Sequence, residues 1–526
     1  MEHLYEKLSG YADRDIYPYH MPGHKRQNRG ALPEAIYRMD ITEIEGFDNL
    51  HQPEGILLEL QKEAARLYGA EESYYLVNGS TCGILGAVSS ALPFGGHILM
   101  ARNCHKSAYH AAYLRHLKIS YLYSDCLEAC GIWDAVTPEQ VRQALEAETD
   151  IRAVLIVSPT YEGRIADVSG IARIVHERGI PLIVDEAHGA HLGLAEGFPE
   201  NSCQAGADLV IHSVHKTLPA LTQTALLHVN GDLIHRDRLR RFLCIYQSSS
   251  PSYLLMAGID NALEYVRKQG KTAFGQFRER YEKMTEALKG CRCLQILSDN
   301  SRKQDMGKLI ISSLRSGITG RQLSDLLLRE YHLQTEMSSR YFVLAMFTIN
   351  DGEEAYRRMT VALLEIDDRL KERNADLILP QGRIGSWAFP GQDFTEGGSF
   401  WKDAQSDTFH EADFPIREVQ TGNSCVRNAR TGEASEENRK PIPLWEAWDM
   451  DTEEIALQDG IGRYAAEFVN LYPPGVPLLV PGERLTEELY REIMEDLEAG
   501  LTVQGIRVDA VRERFSGEIF IKMIRQ

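Results

Sequence analysis

The chain has 526 residues, more than a single hydrophobic core supports, so its length predicts two or three domains. Hydrophobic residues make up 43% and charged residues 25%, as in an ordinary globular protein rather than a disordered or fibrous one. Asp and Glu outnumber Lys and Arg by 76 to 57, which gives a formal charge of −19. A surface of that sign repels nucleic acid and anionic membranes, so we expect neither as a partner.

The nine cysteines are scattered and lack the paired spacing of a zinc site, so no metal centre is expected. The first residues have neither the basic start nor the apolar core of a signal peptide. No stretch of the sequence reaches the length needed to span a membrane. We therefore expect a cytoplasmic protein.

The first elements in chain order predict an α/β domain. Residues 1–50 are rich in proline, glycine and charge, which predicts an amino-terminal arm, and apolar residues at helical spacing then predict a helix over Ile56–Leu67. Short β-rich runs alternate with amphipathic segments after that helix. The predicted strands are Tyr74–Val77, Ile98–Ala101, Ala153–Val157, Pro181–Val184, Leu209–His212 and Ala225–Val229. The predicted helices lie near Thr81–Leu92, His105–Leu117, Pro138–Ala147 and Val168–Arg178.

Such alternation predicts a large domain over 51–290, built on a mostly parallel sheet that is covered on both faces. Sheets of this kind place ligands beyond the carboxyl ends of their strands. A second alternating pattern predicts a smaller carboxyl-terminal α/β domain over 291–526, and a stretch of low periodicity near 381–440 predicts an insertion within it. The predicted elements at this junction are a helix over Lys271–Leu288, strands at Lys308–Ser312 and Tyr341–Met346, and a helix over Thr319–Leu328.

Two charged residues follow buried strands of the large domain. Lys216 comes shortly after the strand that ends at His212, and Asp185 ends the preceding strand. Alone, each has a commoner explanation, because a loop lysine is usually a solvated charge and a strand-end aspartate usually caps a helix or anchors a loop. Together they supply what pyridoxal phosphate (PLP) requires of a protein, an amine for its aldehyde and an acid partner for its pyridine nitrogen.

Three further strand ends carry groups that suit the same cofactor. The turn at Asn78–Gly83 favours phosphate binding by backbone amides and by the hydroxyls of Ser80 and Thr81, although such turns are also common helix caps. His105 could stack on the pyridine ring, or could be an ordinary hydrogen-bonded histidine at a helix start. A hydroxyl of Ser158–Gly163 could contact the ring oxygen, or the segment could simply be a tight turn. Five suitable strand ends in one sheet predict a PLP site.

Seven motifs carry a resemblance to a known family: His20–Lys25, Asp40–His51, Asn78–Thr81, Cys104–Ser107, Asp185–His188, Ser213–Lys216 and Tyr472–Glu483. Together they resemble the bacterial ornithine/lysine/arginine decarboxylase family over roughly residues 1–490. The resemblance implies the α/β fold of the fold-type I PLP enzymes, with an aspartate aminotransferase-like large domain. The chain resembles the short form of the family, which has no receiver-like domain at its amino terminus.

The resemblance also implies a role for individual residues. Lys216 would bond PLP, Asp185 would partner the pyridine nitrogen, and His105 would stack on the ring. His188 would lie beside the ring, where it could assist the departing carboxylate or orient the bond to the cofactor. The phosphate would lie among Ser80, Thr81, Ser213 and His215. The arm around Glu43–His51 would shape the site across the interface of a homodimer or higher homo-oligomer with shared active sites.

The activity implied by the resemblance is decarboxylation of a basic amino acid to the corresponding amine, a polyamine precursor. Lysine, arginine and ornithine all stay open as substrates. Glu43, Asp48 and Glu483 are candidate ligands for the distal cation of the substrate, although surface carboxylates are the commoner explanation for each.

Two alternatives to the decarboxylase also stay open. The first is another fold-type I PLP enzyme such as an aminotransferase, because those enzymes use Asp and Lys at the same places. His20–Lys25 and Tyr472–Glu483 favour the decarboxylase over this alternative. The second is a non-catalytic paralogue that binds PLP or a polyamine, and the intact Lys216 and Asp185 argue against it.

Overall fold

The computed structural model describes residues 2–14, 18, 20–22, 24–27, 33–127, 132–297, 303–375, 441–472, 475–509 and 518–525. The predicted insertion near 381–440 lies outside the described residues, as do Gly23 of the first motif and Pro473 and Pro474 of the last. Within the described ranges, no helix combines the length and the apolar character needed to cross a membrane.

The large domain contains nine strands. They are β1 (Glu72–Leu76), β2 (His97–Ala101), β3 (Lys118–Leu122), β4 (Cys126–Leu127), β5 (Ile132–Trp133), β6 (Ala153–Val157), β7 (Leu182–Asp185), β8 (Leu209–His212) and β9 (Ala225–Val229). β4 and β5 pair with each other as a small hairpin. The other seven form one sheet in the order β1-β9-β8-β7-β6-β2-β3.

The sequence of each central strand is a short and almost continuous hydrophobic run. Such runs are typical of strands that are covered on both faces of a sheet, and nearly all residues of these strands are buried. All pairs from β8 to β3 are parallel, whereas β9 runs antiparallel to both β8 and β1. The predicted mostly parallel sheet is therefore confirmed. Because β1 points the same way as β2, β6, β7 and β8, the carboxyl ends of these five strands meet at one edge.

Ten helices accompany this sheet in the described chain: α1 (Leu4–Ala12), α2 (Glu34–Met39), α3 (Ile56–Tyr68), α4 (Gly79–Ala91), α5 (Lys106–Leu114), α6 (Pro138–Ala147), α7 (Val168–His176), α8 (Val214–Thr217), α9 (Arg236–Tyr246) and α10 (Tyr253–Leu288). α4 packs against the sheet and against α5 and α9. The predicted arm is docked rather than detached, because Leu4 and Leu8 of α1 are fully buried and the Leu4 amide donates to Asp260 of α10 at 2.8 Å.

A second sheet follows α10. Its elements are β10 (Gln295–Leu297), β11 (Lys308–Ser312), α11 (Gly320–Tyr331), β12 (Met337–Ser338), β13 (Phe342–Met346) and α12 (Glu353–Ala375). The four strands are antiparallel, in the order β10-β11-β13-β12. Thr319 and Gln322 form a reciprocal capping box that fixes the start of α11.

The carboxyl-terminal segment forms two further small sheets. Its elements are α13 (Leu444–Ala447), β14 (Thr452–Ala456), a 3-10 turn (Gln458–Gly460), β15 (Val469–Leu471), β16 (Pro477–Leu479), α14 (Glu487–Glu498), β17 (Val503–Gln504), β18 (Ile506–Val508) and β19 (Ile519–Ile524). The sheets run β14-β19-β18 and β16-β15-β17. They enclose a small core of their own, which includes Leu457, Ile493 and Ile521.

Candidate active site

Lys216 and Asp185 lie at the carboxyl ends of two neighbouring strands. β7 ends at Asp185, and β8, which pairs with it in parallel, ends at His212 just before the helical turn that carries Lys216. Asp185 is buried, and its Oδ1 accepts the backbone amide of Ala187 at 3.1 Å. Its Oδ2 accepts no hydrogen bond from the described residues, so one carboxylate oxygen is available to a donor such as a pyridinium N–H.

Burial shifts the pKa of both groups toward the value that favours the neutral form. Burial raises the pKa of the Asp185 carboxyl, and the charge of Lys216 and the Ala187 amide oppose the rise. Burial also lowers the pKa of the Lys216 amine, against the opposing charges of Asp185 and Glu336. Lys216 therefore loses its proton more easily than a surface lysine, which is what a nucleophilic lysine needs.

His188 lies between two lysine amines. Its Nε2 is 3.0 Å from Nζ of Lys216, and its Nδ1 is 2.7 Å from Nζ of Lys308 on β11. Burial lowers the pKa of His188 well below its ordinary value, and the charges of Lys308 and Lys216 lower it further. The imidazole is therefore neutral, with one donor nitrogen and one acceptor nitrogen to offer the two amines.

His105 caps the start of α5 at the carboxyl end of β2. Its Nδ1 accepts the backbone amide of Ser107 at 3.2 Å. Burial and the nearby charge of Lys216 lower the pKa of His105 to about 4, so its ring is neutral and suited to stacking on a flat heteroaromatic face. The carboxyl-terminal segment lies against the same ring, because a Cβ placed on Gly475 would be 3.9 Å from the His105 Nε2.

The start of α4 forms a cradle of the kind that holds phosphate. Gly79 has a φ of +74°, which permits the sharp turn from β1 into the helix, and its amide donates to the Gln223 carbonyl at 2.9 Å. The following residues, Ser80 and Thr81, are half-buried and exposed respectively, and their amides lie in the first helical turn, where an anion is favoured.

Two more groups of the predicted phosphate set come from the loop after β8. Ser213 is fully buried, yet its Oγ has no hydrogen-bond partner in the part of the chain that the structure describes. His215 uses its Nδ1 to donate to the Thr224 carbonyl at 2.8 Å, which leaves Nε2 for another partner. A buried hydroxyl without a partner is costly unless a ligand satisfies it, so these residues fit the phosphate of PLP.

The three predicted ligands of the substrate cation have different surroundings. Asp48 accepts the amides of Glu54, Gly55 and Leu57 at 2.8–2.9 Å, so its carboxylate caps the start of α3. Glu483 accepts Arg102 Nη2 and the Val480 amide, each at 3.0 Å. Glu43 has a buried Oε1 with no hydrogen-bond partner. Contact of any of the three with substrate stays a prediction.

Two residues near His188, Lys308 and Glu336, did not stand out in the sequence, whereas their neighbour Tyr161 lies in the predicted segment Ser158–Gly163. Lys308 is fully buried, and its Nζ lies 5.3 Å from the centroid of the Tyr161 ring. The Tyr161 ring meets the His188 ring edge to face at 4.9 Å, and its hydroxyl donates to Glu336 at 2.5 Å. In the sequence, a lysine at the start of the strand Lys308–Ser312 predicts an exposed strand end. Its burial beside His188 results from the packing of the second sheet against the first.

One group of side chains at the opposite edge of the sheet has the composition of a metal site. His97, Glu148 and Asp150 lie close together near the amino end of β2. His97 Nδ1 is 2.9 Å from Asp150, and the Lys118 ammonium pairs with both carboxylates, so these groups already satisfy one another. The group is not part of the candidate active site.

The sequence and the fold of this chain are similar to those of known decarboxylases. Residues 2–306 match the major domain and residues 444–499 the carboxyl-terminal domain of the Orn/Lys/Arg decarboxylase family models. An arginine decarboxylase of Bacillus subtilis (strain 168) is 29% identical over 95% of both chains. An arginine decarboxylase of Halalkalibacterium halodurans is also 29% identical, over 97% of this chain and 96% of the relative.

The fold is also that of a solved decarboxylase. The structure of the Escherichia coli constitutive lysine decarboxylase superimposes with a TM-score of 0.77 at 19% identity, covering 99% of this chain and 82% of that one. This likeness confirms the predicted fold-type I architecture. The chain belongs to the Orn/Lys/Arg decarboxylase family, which confirms the predicted family, the predicted class of reaction and the expectation of an enzyme.

Proposed function

We propose that this protein uses PLP to remove the α-carboxyl group of a basic amino acid, with arginine as its preferred substrate. The observation that carries the proposal is that a partly buried, easily deprotonated Lys216 amine and the free oxygen of Asp185 lie at adjacent strand ends. The full-length similarity to two arginine decarboxylases supports arginine over lysine and ornithine.

Each residue of the site has a part in this proposal. Bound PLP would supply an electron sink for the electron pair that remains at the α-carbon when carbon dioxide leaves. Asp185 holds the proton of the pyridine nitrogen, and His105 covers the ring. Lys216 provides the amine that holds the cofactor, and His188 Nε2 can exchange a proton with that amine at 3.0 Å. The phosphate is held by Ser80, Thr81, Ser213 and His215.

For the distal cation of the substrate we favour Glu43 among the predicted ligands. Its Oε1 has no hydrogen-bond partner among the described residues, whereas both oxygens of Asp48 accept backbone amides and Oε2 of Glu483 accepts Arg102 and the Val480 amide. An unpaired buried carboxylate gains most from a cationic ligand.

The assembly and location proposed are those implied by the family motifs. We infer a homodimer or larger homo-oligomer with active sites shared between subunits, working in the cytoplasm and producing a polyamine precursor. Sedimentation velocity across a dilution series tests the assembly, and a monomer at all concentrations would contradict it.

The test of function is carbon dioxide release from carboxyl-labelled arginine, lysine and ornithine. We expect the highest kcat/KM with arginine. Lys216→Ala should lower release by more than about a thousandfold while the chain stays folded, because the covalent hold on the cofactor is lost. Asp185→Ala should lower turnover far more than stability, because the ring loses its acid partner. The control Lys62→Ala changes an exposed lysine and should leave turnover unchanged.

Three outcomes would contradict the proposal. Appreciable release by the Lys216→Ala variant would remove Lys216 from its role. Amino transfer to an oxo acid without carbon dioxide release would identify an aminotransferase instead. Purified protein that takes up PLP but catalyses neither reaction would identify a non-catalytic paralogue.

A further inference from the structure

Lys308 is a second lysine in the candidate active site and, unlike Lys216, it is fully buried. The side chain forms no ion pair with the described residues. Its one side-chain hydrogen bond joins Nζ to Nδ1 of His188 at 2.7 Å, and the other ring nitrogen of His188 is 3.0 Å from Lys216. The three side chains therefore form a continuous row from the second sheet to the nucleophile.

The hydrogen-bonding capacity of this row restricts where its protons can lie. An ammonium has three donors and no acceptor, whereas a neutral imidazole has one of each. If Lys308 is an ammonium, it must donate to Nδ1 of His188, which places the imidazole proton on Nε2. That N–H can then hydrogen-bond only to a lone pair on Lys216. A neutral amine has both N–H donors and a lone pair, so with both contacts intact the two lysines cannot both be ammonium ions, and at most one of them is charged.

The surroundings favour Lys308 as the charged member. The face of the Tyr161 ring lies below its Nζ, and the carboxylates of Asp305, Glu162 and Glu336 favour its charged form, although burial lowers its pKa to about 8. Lys216 shares the field of Glu336 and has one other acidic neighbour, Asp185, whereas three carboxylates favour the charged form of Lys308.

We propose that Lys308 is a positioning residue whose ammonium holds the proton of His188 on Nε2 and thereby keeps the amine of Lys216 unprotonated. This inference rests on the proposed function, in which Lys216 is the nucleophile. In this proposal the protonation state of Lys216 depends on Lys308, a residue of the second sheet. Lys216 is therefore reactive only when β11 packs against the large domain.

The test measures the free amine of Lys216 directly in cofactor-free, full-length protein. Trace acetic anhydride acetylates an unprotonated amine, with acetate as leaving group and the amine proton passing to water, and mass spectrometry quantifies the Lys216 peptide across a pH series. We expect Lys308→Met to lower labelling of Lys216 near neutral pH by about tenfold, a shift of one pH unit. Lys308→Arg keeps a charged donor and should label like the wild type, as should the control Lys62→Met.

The effect of Lys308→Met could also come from simple charge repulsion between the two lysines. Repeating the substitution in a His188→Ala variant distinguishes this repulsion from the proposed contact. In the His188→Ala variant the row is broken, so adding Lys308→Met should no longer change the labelling of Lys216. An equal loss in both backgrounds, or no loss in either, would overturn the inference. Where Lys308→Met does not fold, as judged by circular dichroism, Lys308→Leu removes the same charge and the same donor and carries the same expectation.

The labelling experiment needs neither PLP nor substrate, so its outcome is independent of the decarboxylation assay. A wild-type protein that releases no carbon dioxide would defeat the proposed function while leaving the Lys308 measurement to be decided by the labelling alone. A wild-type protein that decarboxylates arginine, together with unchanged labelling in Lys308→Met, would defeat only the present inference.

Discussion

Glu186 follows Asp185 in the sequence, but its carboxyl group has different contacts from that of Asp185, the proposed partner of the cofactor. It is fully buried, and it accepts the Ser202 hydroxyl at 2.7 Å. Its Oε2 is 2.6 Å from Nε2 of His212, whose Nδ1 is 3.0 Å from His228. Burial raises the pKa of Glu186 to about 8 and lowers that of His212 to about 3, so a neutral carboxyl donates to a neutral imidazole.

Glu186→Gln should therefore flatten the pH dependence of stability. The native state holds the Glu186 proton up to about pH 8, whereas the unfolded chain releases it near pH 4, as for an ordinary glutamate. In the wild type, this group's contribution is present at low pH and is lost as pH rises through that window. The glutamine amide donates to His212 at every pH. We expect the variant to gain roughly 1–3 kcal/mol over the wild type at pH 8 relative to pH 5, measured by urea unfolding.

The control for this comparison is Glu146→Gln, which changes an exposed carboxylate on α6 and should shift neither curve. Parallel pH profiles for the wild type and Glu186→Gln would mean that Glu186 is ionised in the native state. His212 would then carry the compensating charge.

Single residues differ in how far the sequence reveals them. Lys216 and Asp185 could be predicted because a polar residue directly after a buried strand of a parallel sheet must lie at the ligand edge. Lys308 could not, because its contact with His188 spans 120 residues and depends on how two sheets dock. Asp48 shows the reverse case, since a carboxylate in a family motif turns out to bind four backbone amides.

At the scale of single elements, the position of α4 sets the position of the phosphate cradle. Gly83 lies where the helix crosses the sheet, and a Cβ there would be 2.7 Å from Leu76 Cδ1 and 3.1 Å from Ile211 Cγ2. Both neighbours are fully buried, so they have no space to retreat. Because Gly83 has no side chain, the start of the helix, with Ser80 and Thr81, can lie close to the sheet.

Gly83→Ala should weaken PLP binding as well as stability. The added methyl pushes α4 away from the strands, which should lower the free energy of unfolding by about 1–3 kcal/mol and move the cradle from the phosphate. Absorbance titration should show an increase of severalfold or more in the PLP dissociation constant. Gly275→Ala in α10 meets nothing within 4 Å and should stabilise by up to about 1 kcal/mol without changing PLP binding. Unchanged PLP affinity in the Gly83 variant would mean that the packing at Gly83 does not set the position of the phosphate cradle.

The differences between the predicted and the observed elements have physical causes. Only the second half of α10 was expected, from Lys271, yet the helix begins at Tyr253, because packing against α1 and α12 outweighs the low helix propensity of Gly258 and Gly270. The edge strand β3 was missed because only one of its residues is fully buried. The reversal of β9 accompanies a connection after β8 that holds a single helical turn in place of the full helix of a parallel crossover.

For the molecule as a whole, the carboxyl-terminal sheets are joined to the rest by buried arginines. Arg102, at the end of β2, donates to the carbonyls of Pro477 and Leu478 at 2.7 and 3.2 Å and pairs with Glu483 at 3.0 Å. Arg340, beside the second sheet, pairs with Asp496 of α14 at 2.9 Å. The sequence predicted a carboxyl-terminal unit with a family motif at Tyr472–Glu483, but it could not show that this motif is the attachment point.

Arg102→Met should therefore loosen the carboxyl-terminal unit from the large domain. The substitution keeps an unbranched side chain but removes the donor that Arg102 supplies to two carbonyls and to the Glu483 carboxylate, at a cost of roughly 2–4 kcal/mol in the free energy of unfolding. Thermolysin should cut near 475–483 faster than in the wild type, because the segment is released from β2. Arg507→Met removes a half-exposed arginine that pairs with Glu454 and should cost no more than about 0.5 kcal/mol. If both variants were equally stable and equally resistant to thermolysin, the small carboxyl-terminal core alone would hold this unit in place, and Arg102 would contribute only local order.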